Sequence, residues 1–303
     1  MMSAESVKNV KFADPGNDGK GGKKYGNARL TWLRLKRNRL AVLGLLVLAG
    51  LAAVALFADL IAPYDYAEQN LMESFEPPST AHPLGTDEFG RDVLSRVIYG
   101  ARVSLQVGIF AVLFSMSIGG VLGALAGFYG GRFDEVVMRC MDVLLSIPQI
   151  LLAIAIAAAL GPGLFNLMIS IGISGVPNFA RIVRGAVLSI IGQEYIEAAR
   201  CMGASDAWII FRHILPNCSA PIIVQATLRV ASAILSSASL SFLGLGIQPP
   251  FPEWGGMLAG ARGYIRDSAY MTVFPGLAIM ITILSLNFLG DGLRDAMDPK
   301  LKR

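Results

Sequence analysis

Few residues in this chain have the types and spacing to do covalent chemistry. The phosphate-cradling pattern Gly-x-x-x-x-Gly-Lys-Ser/Thr is absent, and Gly19-Lys20-Gly21-Gly22-Lys23 matches it only in composition. No Gly-x-Ser-x-Gly elbow or His-Glu-x-x-His pair occurs. Cys140, Cys201 and Cys218 form no Cys-x-x-Cys spacing, so neither a metal nor a disulfide framework is expected. Isolated carboxylates in loops read as solvated charge. The chain is expected to be no enzyme by itself and to carry no cofactor or metal. What remains is recognition: a mostly polar island, Glu197–Pro216, between long apolar stretches, and a lone cation, Arg229, in an apolar run studded with Ser232, Ser236, Ser237, Ser239 and Ser241.

Those features need elements to hold them, and composition says which. The chain has 303 residues, 54% apolar and only 16% charged, with a mean hydropathy of +0.56, too hydrophobic for a soluble domain. A membrane helix takes about 20 mainly apolar residues. Uncharged runs occur at Leu40–Ala58, Val103–Gly131, Val143–Ala180, Val230–Pro252 and Ser268–Gly290. The third is too long for one span, and Gly161-Pro162-Gly163 supplies a turn within it. The expectation is an all-α integral membrane protein with six spans, near 40–62, 103–129, 143–160, 164–182, 219–246 and 270–290.

Basic residues orient the spans. With both termini and the 130–142 and 183–218 loops in the cytosol, 20 of the 26 Lys and Arg are cytosolic, five (Arg91, Arg96, Arg102, Arg262, Arg266) are external, and Arg229 stays in a span. His82 and His213 then lie on opposite sides and cannot share a zinc. The three cysteines fall on the reducing side, which argues against disulfides. A net charge of +4 suits nucleic acid or an anionic membrane. The basic residues gather at Lys20–Arg39, just before the first span, so lipid headgroups are the expected partner. Organisation follows as a basic tail without a packed core, 1–39; a first span, 40–62, that acts as an uncleaved signal-anchor; an external segment, 63–101; a core, 102–295; and a cytosolic end, 296–303. Within the external segment, Val93, Leu94, Val97 and Ile98 share one helical face with Arg91, Asp92, Ser95 and Arg96 opposite, which predicts an interfacial helix leading into the second span. Small residues crowd the second to fourth helices and predict close packing.

Inside the polar island, Ile191, Tyr195, Ala198 with Ala199, and Met202 recur at helical spacing, and Gln193, Glu197 and Arg200 lie elsewhere on the wheel. Gly203 can end that helix in a left-handed turn, Ser205 or Asp206 can cap a second over 207–215, and Pro216 is expected to stop it. Glu197-Ala198-Ala199, three residues, Gly203, and a spacer to Leu215-Pro216 resemble the EAA loop of ABC importer permeases, with His213 standing where that motif usually has Ile. Four more segments resemble the peptide and nickel branch. These are His82-Pro83-Leu84-Gly85-Thr86-Asp87 with Gly90-Arg91-Asp92; Gly127-Phe128-Tyr129-Gly130-Gly131 with Asp134 and Met138-Arg139-Cys140-Met141-Asp142; Gln248-Pro249-Pro250 with Pro252-Glu253-Trp254-Gly255; and Gly290-Asp291-Gly292-Leu293-Arg294-Asp295 with Asp298-Pro299.

The resemblance runs from about residue 32 to the end and implies the type I ABC importer membrane domain, specifically the second permease subunit of a dipeptide or oligopeptide importer in the bacterial cytoplasmic membrane. It implies that Glu197, Ala198, Ala199, Gly203, Ala204, Leu215 and Pro216, in a coupling loop over 189–216, meet an ATPase made as a separate chain. Expected partners are a homologous permease forming a heterodimer, two ATPase subunits that bind ATP and magnesium, and an extracytoplasmic peptide-binding protein. Nickel chelates or glutathione-like peptides are alternative cargoes. An ion-coupled carrier is the distant alternative, and it lacks the carboxylates or histidines that its spans would need. Arg229, Ser232, Ser236 and Ser239 are the expected pathway residues. Membrane hydroxyls more often bond to their own backbone, and Arg229 is expected at the inner mouth.

Overall fold

The computed structural model describes residues 27–297, with side chains from residue 31 onward; residues 1–26 of the expected tail and residues 298–303 lie outside it, and the rest of that tail is not without packing, since it forms a helix over Asn27–Leu35 with Leu35 buried. Lipid offers no partner to an open backbone, so apolar runs must close their hydrogen bonds internally as helices. The helices are α1 (Asn27–Leu35), α2 (Arg39–Leu56), α3 (Ala58–Ile61), α4 (Val93–Tyr129), α5 (Gly131–Leu145), α6 (Gln149–Leu160), α7 (Leu164–Leu188), α8 (Glu194–Cys201), α9 (Asp206–Ile209), α10 (Leu215–Phe242), α11 (Trp254–Ala261) and α12 (Tyr270–Met297). Among the described residues no strand forms beyond a single Thr86–Asp92 bridge.

A helix stands at each of the six expected places, with corrections. Four are long and apolar enough to cross a membrane: α2, α4, α9–α10 taken together, and α12. The third expected span, 143–160, is mostly α6, and the expected 130–142 loop is instead the helix α5, set at 87° to it. The bend falls at Ser146-Ile147-Pro148, where proline lacks an N–H and drives the preceding residue out of the helical region. Counted as one span, this pair is the fifth. The fourth expected span, α7, runs 25 residues but carries Asn166, Asn178, Arg181 and Arg184. It can be that polar because protein rather than lipid covers Leu167, Ile171, Val176, Phe179, Ala180 and Val183.

The seam between α4 and α7 holds the bundle. A Cβ on Gly119 would sit 2.4 Å from the Val176 carbonyl oxygen, and one on Gly123 would sit 2.2 Å from that of Ala180. Opposite, Gly172 lies against the Phe114 ring and Gly175 against Ser115, whose hydroxyl donates to the Gly172 carbonyl at 2.6 Å. Backbones this close gain dispersion along their whole length, the means by which membrane helices associate. The small residues are packing residues here. Two ion pairs, Arg184–Asp134 and Arg181–Asp142 at 2.6 Å, tie α5 to α7, so both acidic residues of the second-to-third-helix signature have a structural partner.

The predicted interfacial helix is not a separate element. Its residues are the first turns of α4, and the face expected in water is buried: Arg91, Asp92, Ser95 and Arg96 are all 5% exposed or less. The segment between α3 and α4 folds over them. Asp92 caps α4 by accepting from the Ser95 N–H and hydroxyl, each at 2.7 Å, while its other oxygen meets His82 Nδ1 at 2.9 Å. Arg91 Nε donates to Asp87 at 2.6 Å, and Arg96 donates to the carbonyls of Tyr66 and Pro250. Trp254 closes the assembly, its indole N–H donating to the Val97 carbonyl at 3.0 Å. Glu253, 2% exposed, accepts from Ser237 and from the Gly256 N–H.

Candidate functional site

The polar island becomes α8, a tight turn, α9 and a turn of π-helix, Ile210–Ile214, that runs straight into α10. The α8 C-terminus closes as a Schellman motif. Gly203 sits at φ +80°, its N–H donates to the Arg200 carbonyl at 3.0 Å, and the Ala204 N–H reaches back to that of Ala199 at 3.1 Å. Ser205 then caps α9, its hydroxyl accepting from the Trp208 N–H. The left-handed glycine is thus where the sequence places it, and of the two candidate caps Ser205 is the one used. Pro216 is not a stop. It occupies the first turn of α10, where its missing N–H costs little, and the π turn ahead of it absorbs one extra residue.

That extra residue explains the motif's departure at His213. Ile214, one place late by count, is fully buried with Ile209, Ile210 and Cys218. His213 is displaced toward the surface, its ring edge-on to Trp208 at 4.6 Å and tilted toward Tyr195 at 6.1 Å. The second correction concerns α8. Its buried residues are Ile196 and Ala199: within α8 only Ala199 of the expected stripe is buried, while Tyr195, Ala198 and Met202 point outward, Met202 with 79% exposure. The inner pair packs with Ala124 and Phe128 of α4 and Val183 and Val187 of α7. A periodic stripe cannot tell which of two adjacent apolar faces will be covered; the ends of α4 and α7 decide it.

The result is a pair of short helices whose inner face packs against three long helices and whose outer face exposes Tyr195, Glu197, Met202, Trp208 and Phe211. Exposed aromatics and a methionine beside a carboxylate suit a protein partner, not solvent alone. Of the seven residues singled out in the loop, Ala199 is buried, Ala204 and Leu215 are half-buried, and Glu197, Ala198, Gly203 and Pro216 are exposed. Sequence reasoning missed Trp208 and Phe211; their only signal was two aromatics within a polar island.

Arg229 lies halfway along α10, half-buried, and donates to Gln149 Oε1 at 3.0 Å, at the first residue of α6. The two line a very small cavity with Ser115 and Ser232. No carboxylate pairs with Arg229 among the described residues. Ser239 donates to its own helix at the Leu235 carbonyl, and Ser232 lies 3.5 Å from that of Leu228. Ser236 is half-buried.

The profile described as the binding-protein-dependent transport system inner membrane component matches residues 119–303, which include every element of this loop. The chain belongs to that family. A second profile, the N-terminal TM domain of oligopeptide transport permease C, matches residues 27–78. Among curated relatives, the dipeptide transport system permease protein DppC of Alkalihalophilus pseudofirmus is 49% identical over 90% of both chains. The glutathione transport system permease protein GsiD of Pectobacterium atrosepticum is 48% identical over 89% of this chain and 90% of its own. In fold, the chain resembles inward-facing structures of the MetNI methionine ABC transporter, with a TM-score of 0.55 at 22% identity, over 67% of this chain and 96% of that one. The family's membrane component is therefore built here as an all-helical type I ABC importer domain, multi-pass in the inner membrane.

The turn at Gly203 has open space around it, so only its backbone angle resists substitution. Gly203→Val should add roughly 1–3 kcal/mol of local strain and loosen α8. Limited trypsin digestion should then cut after the exposed Arg200 several-fold faster than in the parent, and Gly203→Asn, which tolerates left-handed geometry better, should fall between. Equal cleavage in all three would show that the turn does not hold α8 in place.

Proposed function

We propose that this chain is the second permease subunit of an ATP-driven importer of di- and oligopeptides, glutathione-like tripeptides included. The observation that carries the reading is the α8–α9 unit: exposed where a partner would grip it, and packed beneath onto the ends of α4, α7 and α10. A force applied there reaches the bundle without a flexible joint. ATP and magnesium would bind two separate ATPase subunits, one gripping this loop. A homologous permease would complete the pathway as a heterodimer, and an extracytoplasmic peptide-binding protein would deliver cargo. Closure of the ATPases would then tilt the long helices between inward- and outward-facing states, a rigid-body switch. The DppC and GsiD names of relatives at 48–49% identity support peptide cargo.

The loop assignment is tested with Glu197→Lys in the assembled transporter. Uptake of labelled dipeptide and co-purification of the ATPase should both fall on the order of tenfold, equivalent to ~1.4 kcal/mol, while the amount inserted in the membrane is unchanged. Normal uptake and normal co-purification together would remove the loop from the mechanism.

In the proposed orientation both termini and the 189–216 loop face the cytosol and the folded segment over 63–92 faces outward, following the basic residues. A cysteine at exposed Thr80 should react with an impermeant maleimide in intact spheroplasts. Labelling only after permeabilisation would reverse the topology.

Arg229, with Ser232, Ser236 and Ser239, is proposed to line the pathway. Because its polar contact is the neutral Gln149 side chain, Arg229→Met leaves no buried carboxylate unpaired and should preserve assembly. Uptake of acidic peptides should drop several-fold more than that of neutral ones. Failure to assemble with the partner permease would instead make Arg229 a structural residue.

A further inference from the structure

Beside the base of the loop, α1, the end of α7, the start of α10 and the end of α12 enclose a groove of about 700 Å³. Trp32 and Arg34 line it from α1, Ile190 and Pro216 from the two roots of the loop, and Leu293 and Met297 from α12. Its volume lies within the range of about 300–1,000 Å³ typical of clefts that hold small molecules. The α1 helix is fixed there by Leu35, which is buried with Ala41 and Ala296.

The charge around the groove selects what can occupy it. From Thr31 to Ala58 there are four basic residues, Arg34, Lys36, Arg37 and Arg39, and no acidic one. Arg34, half-buried in the wall, has no carboxylate partner among the described residues, although Asp291 and Asp295 stand on α12. Lys36 lies 5.2 Å over the Trp32 ring, beside a groove whose lining is mostly apolar with Thr31, Ser189, Asn217 and Ser219 among it. The chain's own ends are poor occupants: residues 1–26 carry five lysines against three acidic residues, and 298–303 carry three basic residues against one. Like charge repels both. A mostly apolar channel with a cationic rim, at the end of membrane helices, matches an anionic amphiphile.

We propose that this groove binds one anionic phospholipid, its phosphate at Arg34 within the field of the neighbouring basic residues and an acyl chain along Leu293 and Met297. Because Ile190 and Pro216 form part of the wall, the bound lipid braces the roots of the α8–α9 unit. This second half rests on the coupling role proposed above; the lipid site does not.

The test uses the complete transporter, depleted of lipid in detergent and offered equal phosphatidylglycerol and phosphatidylcholine, with bound lipid counted by native mass spectrometry. The parent should retain phosphatidylglycerol selectively. Arg34→Gln should lower that retention about fivefold, the effect of one surface charge on anionic lipid. Leu293→Trp, which fills the channel and keeps every charge, should lower it too. Deleting residues 1–26 should not. Unchanged retention in both point variants, or displacement by inorganic phosphate alone, overturns the site; loss on tail deletion with Arg34→Gln unaffected assigns the groove to the tail. Peptide-stimulated ATPase activity in phosphatidylglycerol nanodiscs is read separately and should fall in Arg34→Gln. Lost lipid with unchanged stimulation refutes the brace and leaves the site standing.

Discussion

The glycine seam between α4 and α7 is the contact on which both ends of the molecule depend. Where Gly119 and Gly123 meet the Val176 and Ala180 carbonyls, there is no room for a Cβ, so the two backbones share one fixed register. The N-terminal turns of α4 carry the folded segment before it, and the C-terminal ends of α4 and α7 carry α8 and α9. A shift along that seam would move both faces together. That suits a device in which events on one side of a membrane must be felt on the other.

The segment before α4 shows how a strong motif can be committed to structure. Asp92 stands among a histidine and a serine, an arrangement that could be mistaken for a catalytic constellation. Yet Ser95 donates to Asp92 and accepts from the Tyr64 N–H, so its hydroxyl is committed to structure. His82 is 5% exposed, stacked on Tyr64 and pinned by the same carboxylate. Buried charges need partners, and this cluster supplies them internally. The signature residues at the start of α11 behave alike: Trp254 and Glu253 are anchors between α4 and α10.

The π turn at Ile210–Ile214 reconciles two demands that conflict in a regular helix. The loop must return Ile214 to the core, and α10 must begin with a proline. One extra residue per turn rotates the side chains that follow, so Ile214 points inward while His213 joins Trp208 and Tyr195 on the outer face. The departure at His213 is therefore a change of register, not a lost contact.

Much of this protein was determined by sequence alone. The positions of the apolar helices, the left-handed turn at Gly203 and a cap at Ser205 or Asp206 all rest on local rules: hydropathy, a missing Cβ, a side-chain oxygen near free N–H groups. Local rules need no distant partner, so they are legible along the chain. Three features were decided only by tertiary structure: the burial of Arg91 and Arg96, the outward turn of Tyr195 and Met202, and the Arg229–Gln149 contact. In each of them a residue could satisfy itself in more than one way. Arg96 could face water as easily as two carbonyls, and α8 had two apolar faces of similar width. Which option prevails depends on groups far away in sequence, because burial is a property of what comes to lie opposite, and a chain read residue by residue does not contain that distance.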